Sequence, residues 1–200
     1  MIKTVLSFDV STTTIGICKL SYGDDGYVHM DHIEDYKPNK KGDLLERLVE
    51  TKAYILYLIK KFKPDEIAIE KFIEYMKASN SKTILLLAIF NQTIALACYE
   101  ELGKLPHIMN VNSVRALIKI PNAIGRLSKE DVPKALEYHL GIKWEFLYTK
   151  PKKSKKSRII KEPKIMPESY DRADACAVGL AYIFSQRPKI KKVRVSKKKK

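Results

Sequence analysis

Asp9, Glu70, Asp171 and Asp174 are acids set inside segments that otherwise read as apolar elements: Val5-Leu-Ser-Phe-Asp-Val-Ser11, Ile67-Ala-Ile-Glu70 and Asp171-Arg-Ala-Asp-Ala175. Ionised carboxylates are almost never buried without a compensating charge. A divalent cation is the obvious compensation, and four acids gathered around it would make a metal-dependent phosphoryl-transfer site. Two divalent ions about 4 Å apart, bridged by a strand aspartate, are a recurrent device for in-line attack of water on a phosphodiester. By that logic Asp9 bridges, Glu70 and Asp174 complete the two coordination shells, and Asp171 binds directly or through water. Hard oxygen ligands with open positions select Mg²⁺, with Mn²⁺ able to substitute, over zinc.

The four acids differ in diagnostic weight. Asp171 and Asp174 are three apart at the start of a helix expected over Ser169 to Ser185, so they share one face; acids in a first turn also complement the helix dipole, so the pair alone is ambiguous. Asp9 inside a strand and Glu70 ending another have no such explanation, because strand interiors disfavour both residue types.

The elements that must position these acids follow from periodicity. Val5–Ser11, Thr14–Tyr22 and Tyr27–Tyr36 are rich in β-branched and aromatic residues, and Gly23-Asp-Asp-Gly26 makes a turn between the last two, which gives an antiparallel meander. In the first strand Val5, Ser7, Asp9 and Ser11 share one face. Asp43 to Lys63 has helical spacing and is stopped by Pro64-Asp65; Glu66–Lys71 is a short buried-type strand that a right-handed crossover lays parallel to the first. Glu70 then sits near its carboxyl end, where open α/β sheets place their ligands. Ser81–Leu102 is a helix apolar over much of its circumference, suited to full burial or to a subunit interface. His107–Asn112 reads as a strand and Ser113–Lys119 as a short helix; Ser128 caps a further helix ending near Gly141. The sum is one α/β domain: a mixed five-stranded sheet of three antiparallel strands with parallel additions, flanked by helices.

The net charge of +15 is concentrated in two places. Gln186–Lys200 contains nine Lys/Arg and no acid, and Lys150–Lys164 contains eight against one Glu, so the rest of the chain is nearly neutral. The expected organisation is a domain over 1–185 with a basic insertion at 150–166, and a basic tail over 186–200 that reads as disordered. Such runs imply a polyanion partner, since neutralised phosphates release counterions. The three cysteines are far apart in apolar surroundings and read as buried reduced thiols. His29 and His32, three apart in a strand, should face opposite ways and make a poor zinc site. Neither a secretory signal nor a membrane span is expected, the apolar run from Ile84 to Cys98 being too short to cross a bilayer.

Taken together, the motifs resemble those of RuvC-type Holliday-junction resolvases of the ribonuclease H-like (integrase) superfamily. Asp9-Val-Ser-Thr-Thr-Thr-Ile-Gly16 resembles the family's opening aspartate followed by small residues and a glycine, Ile67-Ala-Ile-Glu70 its strand-ending glutamate, and Asp171-Arg-Ala-Asp-Ala-Cys-Ala-Val178 its final helix. Order and spacing match up to about Gln186. The resemblance implies a homodimer, formed through the helix Ser81–Leu102, that binds four-way DNA junctions and nicks two opposed strands symmetrically. It implies a residue after the glutamate that wedges into the junction, for which Phe72, Ile73 and Tyr75 are candidates; core packing is the competing reading for Phe72. Lys129 resembles a basic catalytic residue at the scissile region. Lys71, Lys77, Lys82, Arg115, Arg126 and Lys134 are candidate DNA contacts, with a solvated surface charge as the alternative for the last three. The basic insertion and tail depart from the bacterial pattern, as phage, viral or organellar branches do.

Three other readings remain open. The Asp9 segment also resembles the phosphate hairpin of actin-like sugar kinases and chaperone ATPases, but a second domain and a second glycine-rich motif do not fit in this chain. A ribonuclease H-like nuclease acting on flaps, other branched DNA or RNA-containing substrates would keep the same acids. A non-catalytic DNA-binding protein would need only the basic segments. The expected location is cytoplasmic and DNA-associated, with organellar or viral-factory sites left open.

Overall fold

The computed structural model describes residues 1–39, 41–72, 81–121, 123–149, 152–153, 160–161 and 164–186. Strand β1 (Lys3–Val10) pairs antiparallel with β2 (Ile15–Tyr22), which pairs antiparallel with β3 (Val28–Tyr36). Helix α1 (Leu44–Phe62) then crosses over to β4 (Glu66–Glu70), which lies parallel to β1. Helix α2 (Ser81–Leu102) returns to β5 (His107–Met109), parallel to β4, completing a five-stranded sheet of order β3-β2-β1-β4-β5. Helices α3 (Val111–Leu117), α4 (Val132–Leu140) and α5 (Pro167–Gln186) follow.

The alternation in β1 divides the core in two. Leu6, Phe8 and Val10 pack with Ile55, Leu58 and Ile59 of α1 and Phe90, Ile94 and Ala97 of α2. Val5, with Cys18, Leu20 and Ala68, packs with α3, α4 and α5. Helix α5 lies close on the sheet because its inner face is small: Ala173, Ala175, Cys176, Ala177, Gly179 and Ala181 are buried. A Cβ on Gly179 would stand 2.6 Å from Ser7 Oγ. Ser7 completes the seam by donating to the Ala175 carbonyl at 2.7 Å.

Several boundaries differ from the sequence reading. β5 stops at Met109 because Asn110 turns out of the strand and caps α3, its side chain accepting from Asn112 N at 2.9 Å. Ser128 does not cap α4; it donates to the Asp131 carboxylate at 2.6 Å in a preceding turn, and the helix starts at Val132 with Pro133 in its first turn. A register shift in the β2–β3 pairing puts His29 opposite Ser21 and His32 opposite Lys19, so the two histidines share a face rather than opposing each other. The 150–166 insertion, given no structure from sequence, contains a short ladder of β6 (Lys152–Lys153) and β7 (Ile160–Lys161). Helix α2 is long and apolar enough to cross a membrane by length and composition, contrary to the sequence estimate, yet here it packs on α1 with Phe90, Asn91, Ile94, Ala97 and Cys98 buried. All three cysteines are buried and free.

Candidate active site

The parallel register of β1 and β4 ends at Phe8 opposite Ile69, so Asp9 and Glu70 come next on adjacent strands. Ser7 and Ala68, one pleat earlier, are opposite each other under α5, which places both acids on the α5 face. Asp9 is opposite Gly16 in β2. That glycine lets α5 descend, since a Cβ there would stand 2.0 Å from the Asp171 carbonyl oxygen. The descent delivers Asp171 and Asp174 to the strand ends. Because α5 begins at Pro167, both acids lie beyond its first turn, where the dipole effect has faded. The bland explanation for the pair is thereby removed.

Lys129 reaches the same place from the Ser128–Asp131 turn. Its Nζ is 3.2 Å from Asp174 Oδ2 and 3.4 Å from Asp171 Oδ1, with 43% of the side chain exposed. Burial works against its charge, but Asp174, Asp171 and Asp9 outweigh that and hold its pKa up. Burial raises Asp9 well above the ordinary carboxylate range, and Glu70, Asp174 and Asp171 raise it further. Glu70 is pushed up to about 7, by burial and then by Asp174, against Arg115 and Lys129. Burial also raises Asp174 and Asp171, with Lys129 opposing in both cases. The acids therefore sense one another as a single cluster carrying too much negative charge.

Among the described residues no three His, Cys, Asp or Glu side chains stand close enough to hold an ion as they are. The donor set still fits a hard divalent cation in kind: carboxylates held at raised pKa by burial and mutual repulsion, which a cation would relieve. Lys129 supplies part of that positive charge in the arrangement seen.

The other candidates are distributed around this centre. Arg115 of α3 is half-buried and draws both Glu70 and Asp174 down, so it belongs to the cluster electrostatically. Lys71 and Phe72 follow Glu70 directly and are half-buried, Lys71 N donating to Met109 O at 2.8 Å. Lys82, Arg126 and Lys134 are exposed, and the charge of Lys134 acts on Asp131. Ile73, Tyr75 and Lys77 lie outside the described residues.

The structure adds residues that the sequence reading passed over. Asn91, buried in α2, donates to the Glu70 carbonyl at 2.8 Å and ties the end of β4; its signal was the amide pair Asn91-Gln92 interrupting so apolar a helix. Arg47 of α1 donates to the Thr12 carbonyl and lies 5.2 Å from the Phe90 ring centroid. It thereby holds the turn after Asp9, where Ser11 Oγ accepts from Thr14 N at 3.0 Å. Arg172 Nε donates to Asp35 at 2.7 Å and Lys37 pairs with Glu168 at 2.5 Å, clasping the end of β3 to α5.

A mixed sheet of this order, with the C-terminal helix laid across its central strands, defines a ribonuclease H-like α/β fold. Among solved structures, T. thermophilus RuvC in complex with a Holliday junction substrate superposes with a TM-score of 0.65 at 18% identity, over 90% of this chain and 93% of that one. RuvC from the same organism in a second structure gives 0.61 at 20% over the same shares, and the yeast mitochondrial Holliday junction resolvase Ydc2 gives 0.60 at 16%, over 90% of this chain and 77% of that one. At these identities the likeness is one of fold. No family sequence model and no curated protein sequence matches the chain.

Proposed function

We propose that the protein is a metal-dependent, structure-selective endonuclease that resolves four-way DNA junctions by paired symmetric nicks. The observation that carries this reading is the convergence of Asp9, Glu70, Asp171, Asp174 and Lys129 at the carboxyl ends of two parallel strands. The fold shared with RuvC and Ydc2 supports the substrate. Two Mg²⁺ ions, replaceable by Mn²⁺, would be held by Asp9, Glu70, Asp174 and Asp171 and would supply Lewis-acid activation of water and phosphate.

The chain's own groups do the rest. Arg115 and Lys129 favour the ionised forms of Glu70 and Asp174, keeping oxygen donors available at neutral pH. Lys129, partly open to solvent, exchanges its carboxylate partners for the scissile phosphate and stabilises the charge that develops there. Phe72, two residues after Glu70, would meet a base at the junction centre. Residues 1–185 act as one nuclease domain, and the basic insertion and tail add sequence-independent affinity for DNA. A homodimer provides the second active site that paired nicks need. Leu85, Leu96 and Tyr99 of α2 remain 61%, 52% and 50% exposed and give the apolar face for it.

Strand-specific labels on a four-way junction, a flap and an RNA/DNA hybrid, each incubated with Mg²⁺, test the reading. Symmetric paired nicks in the junction are expected; preferential cutting of the flap or hybrid would replace resolution with the broader nuclease reading.

A further inference from the structure

The paired register of β1 and β4 ends at Phe8 opposite Ile69, one residue short of Asp9 and of Glu70. Beyond that point each acid's strand is held on its outer side by a different neighbour. Asp9 and Val10 pair with Gly16 and Ile15 of β2, and Lys71 N donates to the Met109 carbonyl of β5 at 2.8 Å. Between the two strand ends the acids repel: after burial, Glu70 is the largest influence against an ionised Asp9. A tie across this gap is needed to keep the ends from splaying.

Consecutive residues of α2 supply it. Asn91, 2% exposed, donates from Nδ2 to the Glu70 carbonyl at 2.8 Å. Phe90, fully buried, presents its ring to the Arg47 guanidinium, 5.2 Å from the centroid, and Arg47 donates to the Thr12 carbonyl. Both ends of this second link are themselves fixed. Arg47 lies in the first turn of α1, behind a capping box in which Asp43 Oδ1 accepts from Glu46 N at 2.9 Å and Asp43 N donates to Glu46 Oε2 at 3.0 Å. Thr12 lies in the turn where Ser11 N and Ser11 Oγ donate to the Thr14 carbonyl at 3.2 and 2.6 Å.

We infer that Arg47 and Asn91 are positioning residues of the metal site: they fasten the turn after Asp9 and the end of β4 to one stretch of α2, which sets the separation of the two strand acids. The inference rests on the metal-binding reading of the acids and on nothing about the nucleic acid. Groups that hold a ligand from behind typically contribute about tenfold to a hundredfold in ion affinity.

The test uses the full chain and Mn²⁺ alone, by titration calorimetry, with chemical denaturation as the check on folding. Arg47 Nε is buried without an acceptor among the described residues, so exchanging the guanidinium for a thioether costs the fold less than it would at a fully satisfied arginine. Arg47→Met and Asn91→Leu are each expected to bind Mn²⁺ about tenfold more weakly, while Arg47→Lys, which keeps a cation and a donor for Thr12, stays within about threefold of wild type. Junction affinity without metal should not move, and cleavage should return to near the wild-type rate once Mn²⁺ is saturating. Ile59→Val, a buried change in the same helix about 18 Å farther along, should leave Mn²⁺ affinity at the wild-type value.

A folded Arg47→Met that binds Mn²⁺ as wild type does overturns the inference, and so does an Ile59→Val that loses as much affinity as Arg47→Met. If Arg47→Met does not fold, Phe90→Leu, which withdraws the ring from the guanidinium, is judged by the same criterion. A wild type that binds no Mn²⁺ removes the metal site and the inference with it. A wild type that binds the ion, with the variants shifted as expected, but cuts no substrate defeats the nuclease reading and leaves the positioning roles standing.

Discussion

At the scale of single residues, the site is an electrostatic conflict held together by neighbours. Asp9→Asn keeps the shape of the side chain while removing a charge that burial and then Glu70, Asp174 and Asp171 disfavour. It is expected to abolish junction cleavage, leave junction binding intact, and raise the melting temperature of the metal-free protein by a few degrees, the last two measured by gel shift and calorimetry. The pH dependence has a definite sign. Glu70 titrates near 7 when folded against 4.5 as a free side chain, so the folded metal-free protein holds that proton more tightly than the unfolded chain. Its stabilising effect is complete below about 4.5 and is lost as pH rises through 7. Melting temperature without metal should therefore fall from pH 5 to pH 8, while Mg²⁺ affinity measured by titration calorimetry rises over the same interval; Glu70→Gln should flatten both. Asn91→Leu frees the end of β4 and leaves the Glu70 carbonyl without its donor, with an expected loss of about 1–3 kcal/mol in stability and a higher Mg²⁺ requirement. The strand acids were legible in the sequence because nothing else explains a carboxylate there. Asn91 and Arg47 were not, because their roles are contacts with the backbone of distant elements.

At the scale of elements, most of the architecture could be read from periodicity, and α2 was placed to the residue. What escaped was decided by local side-chain competition or by long-range pairing. The Asn110 cap shortened β5, the Ser128–Asp131 pair occupied the turn that was taken for a helix start, and the β6–β7 ladder depends on partners that its lysine-rich composition hides. The small-residue seam beneath α5 gives a sharp test. Gly16→Ala places a Cβ against the Asp171 backbone, and neither a strand nor a helix backbone can yield cheaply. Destabilisation of about 1–3 kcal/mol or more is expected from chemical denaturation. Loss of cleavage should accompany it even where folding survives, because α5 lifts away from Asp9.

At the scale of the molecule, the sheet separates two kinds of surface. The acids lie on the α5 side, and the exposed apolar residues of α2 lie on the other. Leu85→Glu with Leu96→Glu is expected to give a monomer in analytical ultracentrifugation that nicks one strand of a junction but no longer makes paired cuts; a double variant that still sediments as a dimer would move the interface elsewhere. The bond from Ser7 to the Ala175 carbonyl joins residues 168 positions apart, and it seals the helix that brings the last two acids to the first. During synthesis the first and fourth strands emerge long before that helix. A ribosome-bound chain thus carries Asp9 and Glu70 without Asp171 and Asp174, and the four acids meet only after residues 167–186 have been made.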